Sequence, residues 1–181
     1  MEYQDTQIDI RSVQIKDHYS VISEMMRSLQ QSEQQMFDKT APWDEVEKSY
    51  LSHMIEMQAE NDGTCLVAFI ENKPCGFIFG YTEEPDESRI EKYIGKELYV
   101  SDGYVDPSYR RMGIYQKLNT KLEEIYVAKG VRRIIRFTLA VNTRMQGFLE
   151  KEGYQAVRLL YEKWLTPDGK KTQPLKLAAP K

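Results

Sequence analysis

The run Asp102-Gly103-Tyr104-Val105-Asp106-Pro107-Ser108-Tyr109-Arg110-Arg111-Met112-Gly113-Ile114-Tyr115-Gln116-Lys117-Leu118 constrains the fold of this chain more than any other stretch. Leu98 to Val105 is rich in β-formers. Asp106-Pro107 ends that strand, because proline cannot continue a ladder and turns its neighbour away from helix. Ile114, Leu118, Leu122 and Ile125 then recur at three- and four-residue spacing, which is one face of a helix. The unit is therefore strand, Arg-Arg-Met-Gly loop, helix. A glycine lets backbone approach a ligand closely. The free N–H groups and dipole of a helix start favour an anion, and arginine forks suit phosphate oxygens. Such a unit can hold a diphosphate. It can also be a plain strand–helix connection with solvated arginines. No Gly-Lys-Ser/Thr follows, so it is not a P-loop, and a single glycine does not make a dinucleotide fingerprint.

Composition narrows the classes of function. A chain of 181 residues suits one domain with a sizeable core. With 41% hydrophobic and 29% charged residues it is globular rather than disordered. A net charge of -3 gives no reason to expect nucleic acid, and Arg132, Arg133 and Arg136 read as a solvated strand edge. No apolar run approaches the ~20 residues of a membrane span. Met1-Glu2-Tyr3-Gln4-Asp5 has neither the basic start nor the apolar core of a signal peptide. Cys65 and Cys75 make no metal-ligand spacing. His18 and His53 each lack a second histidine or acid at ligand spacing, so both read as structural or solvated and no metal is expected. The chain reads as a cytoplasmic protein with reduced thiols.

The elements emerge from periodicity and punctuation. Residues 7–13 alternate as a first strand. Asp17 can cap a helix whose stripe is Val21, Ile22, Met25, Met26 and Leu29, the methionines serving as core filler. Polar residues 30–42 read as a loop, and Pro42-Trp43-Asp44 opens a second helix with Tyr50, Leu51, Met54, Ile55 and Met57 inward. Strands over 64–71 and 74–81 flank an Asn72-Lys73 turn. That register sets Cys75 opposite Ile70 and Cys65 opposite Gly80, so the thiols are not opposed. The acidic run 83–87 is a solvated loop that could also attract a cationic amine. Glu97 to Val105 is the central strand, where Gly103 marks a bulge or a close ligand approach. Helix 114–128 stops at Lys129-Gly130, and a strand covers 132–141. Asn142 begins a short helix that Gly153 ends, with a final strand over 154–165. Residues 1–165 form one domain, and 166–181 is a tail without periodicity. The order is that of an α/β layer domain.

Val105-Asp106-Pro107 with Arg110-Arg111-Met112-Gly113-Ile114-Tyr115 resembles the acyl-CoA loop of the GNAT superfamily of N-acyltransferases. Asn142-Thr143-Arg144-Met145-Gln146-Gly147-Phe148-Leu149-Glu150-Lys151-Glu152-Gly153-Tyr154 resembles that family's second signature. The resemblance covers roughly residues 7 to 165. It implies the GNAT fold, a mixed and mostly antiparallel sheet with splayed central strands flanked by helices. It implies that Arg110, Arg111, Met112, Gly113, Ile114 and Tyr115 hold acetyl-CoA, and that Asn142 contacts its pantetheine or an ordered water. Asn142 is equally a good helix N-cap. Two positions depart from the pattern. Tyr115 stands where the family usually has Gly or Ala, and Leu149 stands where many members carry a tyrosine that protonates the leaving thiolate.

Acyl transfer from a thioester needs a donor to the carbonyl, a base for the amine and relief for the thiolate. Backbone N–H groups of a strand bulged around Gly103, Tyr104 and Val105 can meet the first need. Asp102 stands where the family often has its base, and is otherwise a surface carboxylate on a strand end. Tyr154, Tyr109 and Tyr115 are alternative proton donors, none favoured by spacing among 12 tyrosines. The expected function is N-acetyl transfer from acetyl-CoA to a primary amine. The competing reading is a non-catalytic acyl-CoA-binding module, which Leu149 supports. The partners expected are acetyl-CoA and an amine, with no membrane and room for a homodimer. The acceptor itself is not legible, and the family usually bounds it with the region near residues 30–45.

Overall fold

The computed structural model describes residues 7–84, 92, 95–167 and 176–178. The chain divides into two compact units, Met1–Leu29 with Trp43–Phe137, and Gln30–Pro42 with Thr138–Lys181. The first holds one five-stranded sheet in the order β1 (Asp9–Val13), β2 (Thr64–Ile70), β3 (Lys73–Glu83), β4 (Glu97–Val105), β5 (Arg133–Ile135). All neighbours are antiparallel except β4 and β5, which are parallel. Their ladder covers only Glu97–Arg133, Leu98–Ile134 and Tyr99–Ile135, while β4 continues to Val105. The two parallel strands thus part beyond Tyr99, as the splayed sheet expected from the resemblance requires.

Both faces of the sheet are covered, which is why β2 reads as a continuous apolar run rather than an alternating one. Cys65, Val67 and Phe69 of β2 pack with Ile22, Met25 and Met26 of α1 (Tyr19–Met36) and Leu51 and Met54 of α2 (Trp43–Glu60). Leu66, Ala68 and Ile70 face the other way, onto Ile114, Leu118, Leu122 and Tyr126 of α3 (Ile114–Ala128). The methionine pair of α1 is core, as its spacing predicts. Both cysteines are free and buried.

Several elements differ from the sequence reading. Asp17 belongs to a 3₁₀ turn, Ile15–His18, and α1 starts after it. Residues 30–36 are not loop: α1 continues through the Gln- and Glu-rich segment to Met36, because these residues are good helix formers without any apolar period. The hairpin turn is Glu71-Asn72, one residue earlier than expected, with Ile70 pairing Lys73. Both turn residues have positive φ, 50° and 61°, as a type I′ turn demands. Cys75 is the extra residue of a bulge in β3, so the register past it shifts and Cys65 pairs with Phe79. Instead of a strand over 132–141, only Arg133–Ile135 pairs. Nor is the solvated strand edge seen for all its arginines: Arg133 Nη1 lies 2.6 Å from the fully buried Glu97 Oε1, beside the start of the parallel ladder.

In the second unit, α4 (Thr143–Lys151) is capped by Asn142, whose Oδ1 accepts from Met145 N at 3.2 Å. It closes with Tyr154 N donating to Leu149 O and Gly153 at φ 88°. Residues 154–164 form no strand, and Leu159, Leu160 and Tyr161 are exposed. Their β-forming composition is not enough without a ladder partner, since strand propensity expresses packing on neighbours. Of the expected tail, Leu177 bridges Phe37, while 168–175 and 179–181 lie outside the described residues. So does the acidic run beyond Glu84, up to residue 91.

Candidate active site

A bulge in β4 sets the geometry. Asp102 pairs with Phe79 and Val100 with Gly80, so Ser101 is the extra residue. The bulge expected at Gly103 therefore sits two positions earlier. An extra residue breaks the two-residue alternation of a strand and re-aims the side chains beyond it. Leu98, Val100 and Val105 join the α3 side of the core, while Tyr99 and Tyr104 join the α1–α2 side. Asp102 lands on the α2 side and Gly103 on the α3 side.

Asp102 is buried, and its Oδ1 accepts from Tyr50 Oη of α2 at 2.9 Å. Burial pushes its carboxyl above the ordinary value of 3.8, opposed by the neighbouring hydroxyls of Ser101 and Tyr50 and by His53. Oδ2 of Asp102 and Oγ of Ser101 are buried with no hydrogen-bond partner among the described residues. Such orphaned polar atoms call for an explanation.

Beside Asp102 lies a cavity of about 160 Å³. Tyr50, His53 and Met54 of α2 form one wall at helical spacing, and Phe79, Tyr81 and Tyr99 form the other with Ser101 and Asp102. Tyr81 is the hub of the rings: Tyr99 meets it edge-on at 5.4 Å, His53 edge-on at 6.3 Å and Phe79 at 5.8 Å. From the sequence, His53 reads as structural or solvated, and no role attaches to Tyr50, Tyr81 or Tyr99. The spacing of Tyr50 and His53 on one helix face is a usable signal. The pairing of Tyr81 with Tyr99 is tertiary and leaves no local trace.

On the opposite face, Tyr115 lies under Gly103. Its hydroxyl accepts from Arg136 Nη1 at 3.1 Å, and Arg136 Nη2 donates to Asn119 Oδ1. Burial pushes the phenol up from its ordinary value, opposed by the Arg136 guanidinium. Tyr115 thus points into the sheet, and Arg136, three residues past the start of β5, is held by α3.

The loop between β4 and α3 is built by local contacts. Asp106 Oδ1 accepts from Ser108 N at 2.8 Å, and Arg110 Nε donates to Val105 O at 3.1 Å. Arg111 and Gly113 both adopt positive φ, 68° and 73°. The N-cap of α3 is Gly113, which offers no side chain to the first turn, and a Cβ there would meet nothing within 4 Å. Arg111 and Met112 are exposed beside it. An uncapped helix start with an open glycine and exposed arginine fits a diphosphate. Asn142, Leu149 and Tyr154 belong to the second unit, where Leu149 and Tyr154 are half-buried. Among the described residues no group of three His, Cys, Asp or Glu could hold a metal, and no helix is long and apolar enough to cross a membrane.

A mixed sheet that parts between two parallel strands, next to an anion-suited helix start, defines an α/β domain of the acyltransferase type. The chain belongs to the acetyltransferase (GNAT) family, whose model matches residues 23–154. It is 38% identical over 71 residues to the thialysine N-epsilon-acetyltransferase of Caenorhabditis elegans, a match spanning 36% of this chain and 44% of that enzyme. In structure it is similar to an aminoglycoside N-acetyltransferase solved with CoA, at a TM-score of 0.66 and 16% identity over 90% of this chain and 97% of that one. It is also similar to a predicted acetyltransferase from Clostridium acetobutylicum solved with acetyl-CoA, at a TM-score of 0.69 and 17% identity, over 86% and 95%. At these identities the structural matches show the shared fold.

Proposed function

We propose that this protein is an N-acetyltransferase that moves an acetyl group from acetyl-CoA to a primary amine. The observation that carries it is Asp102, a buried acid that is held at Oδ1 by Tyr50 and lines a pocket on the strand that leads into the Arg110–Gly113 loop. The sequence relative is named for acetylation of thialysine and the structural one for aminoglycosides, both amines.

Arg110, Arg111, Met112 and Gly113, with the N–H groups of Ile114 and Tyr115, would hold the diphosphate. The edge of β4 beyond Tyr99, from Gly103 to Val105, would offer backbone donors to the carbonyl. Acetyl-CoA, when bound, supplies an acyl group activated as a thioester. Asp102 takes one proton from the incoming ammonium, and a second ends on the departing sulfur. The third stays on nitrogen as the C–N bond forms and the C–S bond breaks. A carboxyl held above its ordinary value is a better proton acceptor than a solvated one. Leu149 has no proton to relay, so Tyr115, with its hydroxyl against Gly103, would pass its proton to the sulfur and take the second ammonium proton in return.

The test is release of CoA thiol from acetyl-CoA across a panel of amines, with the acetylated product identified by mass spectrometry. Turnover with at least one amine supports the reading. Tight CoA binding without turnover on any amine would make the protein a binding module instead.

A further inference from the structure

We propose that the pocket beside Asp102 is a selective seat for a primary ammonium carried on a slender, unbranched carbon chain. This rests on the reading of the chain as an amine acetyltransferase and names its acceptor class.

Size comes first. An engineered apolar cavity of about 150 Å³ takes a benzene-sized guest, and whole drug-sized ligands need roughly 300–1,000 Å³. The pocket has about 160 Å³. That volume suits a chain of a few carbons and is below what a whole drug-sized ligand needs. Charge comes next. Asp102, 8% exposed and held at Oδ1 by Tyr50, is the one acid among the pocket's lining residues, and no lysine or arginine lines it. Glu83, at the end of β3, adds negative potential at Tyr81. A buried carboxylate is costly, and an ammonium held beside it offsets that cost through its opposite charge. The walls come last. Tyr81 and Tyr99 stand at right angles to one another, 5.4 Å between centroids, and present ring faces and edges to an alkyl stem and a cation. Tyr50 fixes the carboxylate from the α2 side at 2.9 Å. The acid, the rings and the small volume together recognise the end of an alkylamine rather than the body of its owner. A free alkylamine and the lysine side chain of a peptide share that chemistry.

The experiment uses the full chain saturated with CoA and titrated by NMR with n-butylammonium, with n-butanol as the neutral isostere and with kanamycin as the ring-borne amine. Acetyl transfer to n-butylamine, a lysine-containing peptide and kanamycin is measured alongside. Butylammonium should bind at least tenfold better than butanol and shift the Tyr81, Tyr99 and His53 rings. Tyr81→Leu should weaken it roughly 2- to 30-fold, while Tyr81→Phe keeps it, because the ring face carries the attraction. Tyr99→Leu should act likewise and serves if the Tyr81 variant does not fold. Preference for the free amine or for the peptide each supports the seat and identifies its source. Equal binding of the alcohol, kanamycin ahead of butylammonium, or undiminished affinity in a folded leucine variant overturns it. Binding of butylammonium at these rings without transfer to any amine would leave the seat standing and sink the enzymatic reading. Transfer without such binding would do the reverse.

Discussion

Gly103 and Tyr115 share one space: a Cβ on Gly103 would lie 2.7 Å from Cε2 and Oη of the Tyr115 ring. No side chain larger than hydrogen fits at 103 while that ring is in place. Gly103→Ala should therefore force the ring away from Arg136 and cost about 1–3 kcal/mol, the usual range for overpacking. Adding Tyr115→Ala should recover part of that loss, since contacting residues are non-additive. Urea unfolding of both single variants and the double variant checks this; strict additivity would mean that the two do not meet.

The helix-start assignment predicts a loss of cofactor affinity when the loop loses its forks. With Arg110 and Arg111 both changed to alanine, each missing charge-assisted bond should cost about 1.5–3 kcal/mol, or roughly 10- to 150-fold in Kd. Arg110 also braces Val105, so circular dichroism must accompany the calorimetry. Unchanged CoA affinity in the folded double variant would move the diphosphate elsewhere.

Asp102 has a thermodynamic signature independent of turnover. Burial holds its carboxyl above the ordinary 3.8, so the native state keeps that proton to higher pH than the unfolded chain does. Where the native state binds more protons, stability falls as pH rises. The penalty is complete above the native value and absent below the unfolded one. Asp102→Asn should thus be more stable than the parent at pH 7, with the gap shrinking as pH falls toward 4. Denaturant midpoints at the two pH values measure it, and a gap that widens on acidification would reverse the sign.

Tyr50→Phe removes the hydroxyl that donates to Asp102 Oδ1. Since that bond favours the ionised acid, its loss should move the acidic limb of the pH–rate profile to higher pH. The same limb in the Tyr50 variant as in the parent would show that the limb belongs to another group.

Much of the fold is legible in the sequence for a physical reason: Pro107, the 114–125 apolar period and the covered strand 64–70 are local signals of strand, loop and helix. The bulge is sensed but misplaced, because Gly103 announces itself as a glycine whereas Ser101 is extra only through the pairing of Phe79 and Gly80. That single insertion decides that Asp102 meets α2 and Gly103 meets α3. Likewise nothing local marks Arg133 as the partner of Glu97, or Tyr81 as the partner of Tyr99. The expected strand over 154–165 fails on the same ground, since its neighbours, not its own residues, decide whether it pairs.

The most direct test of the account is the pH dependence of acetyl transfer in the parent and in Asp102→Asn, with cofactor affinity measured in both. The parent rate should rise with pH through a limb above the ordinary carboxylate range. The variant should lose roughly 100- to 10,000-fold, the usual share of general acid–base catalysis, with the limb gone and CoA affinity unchanged. A variant that turns over at the parent rate with the parent limb would place the base on another residue and contradict the account.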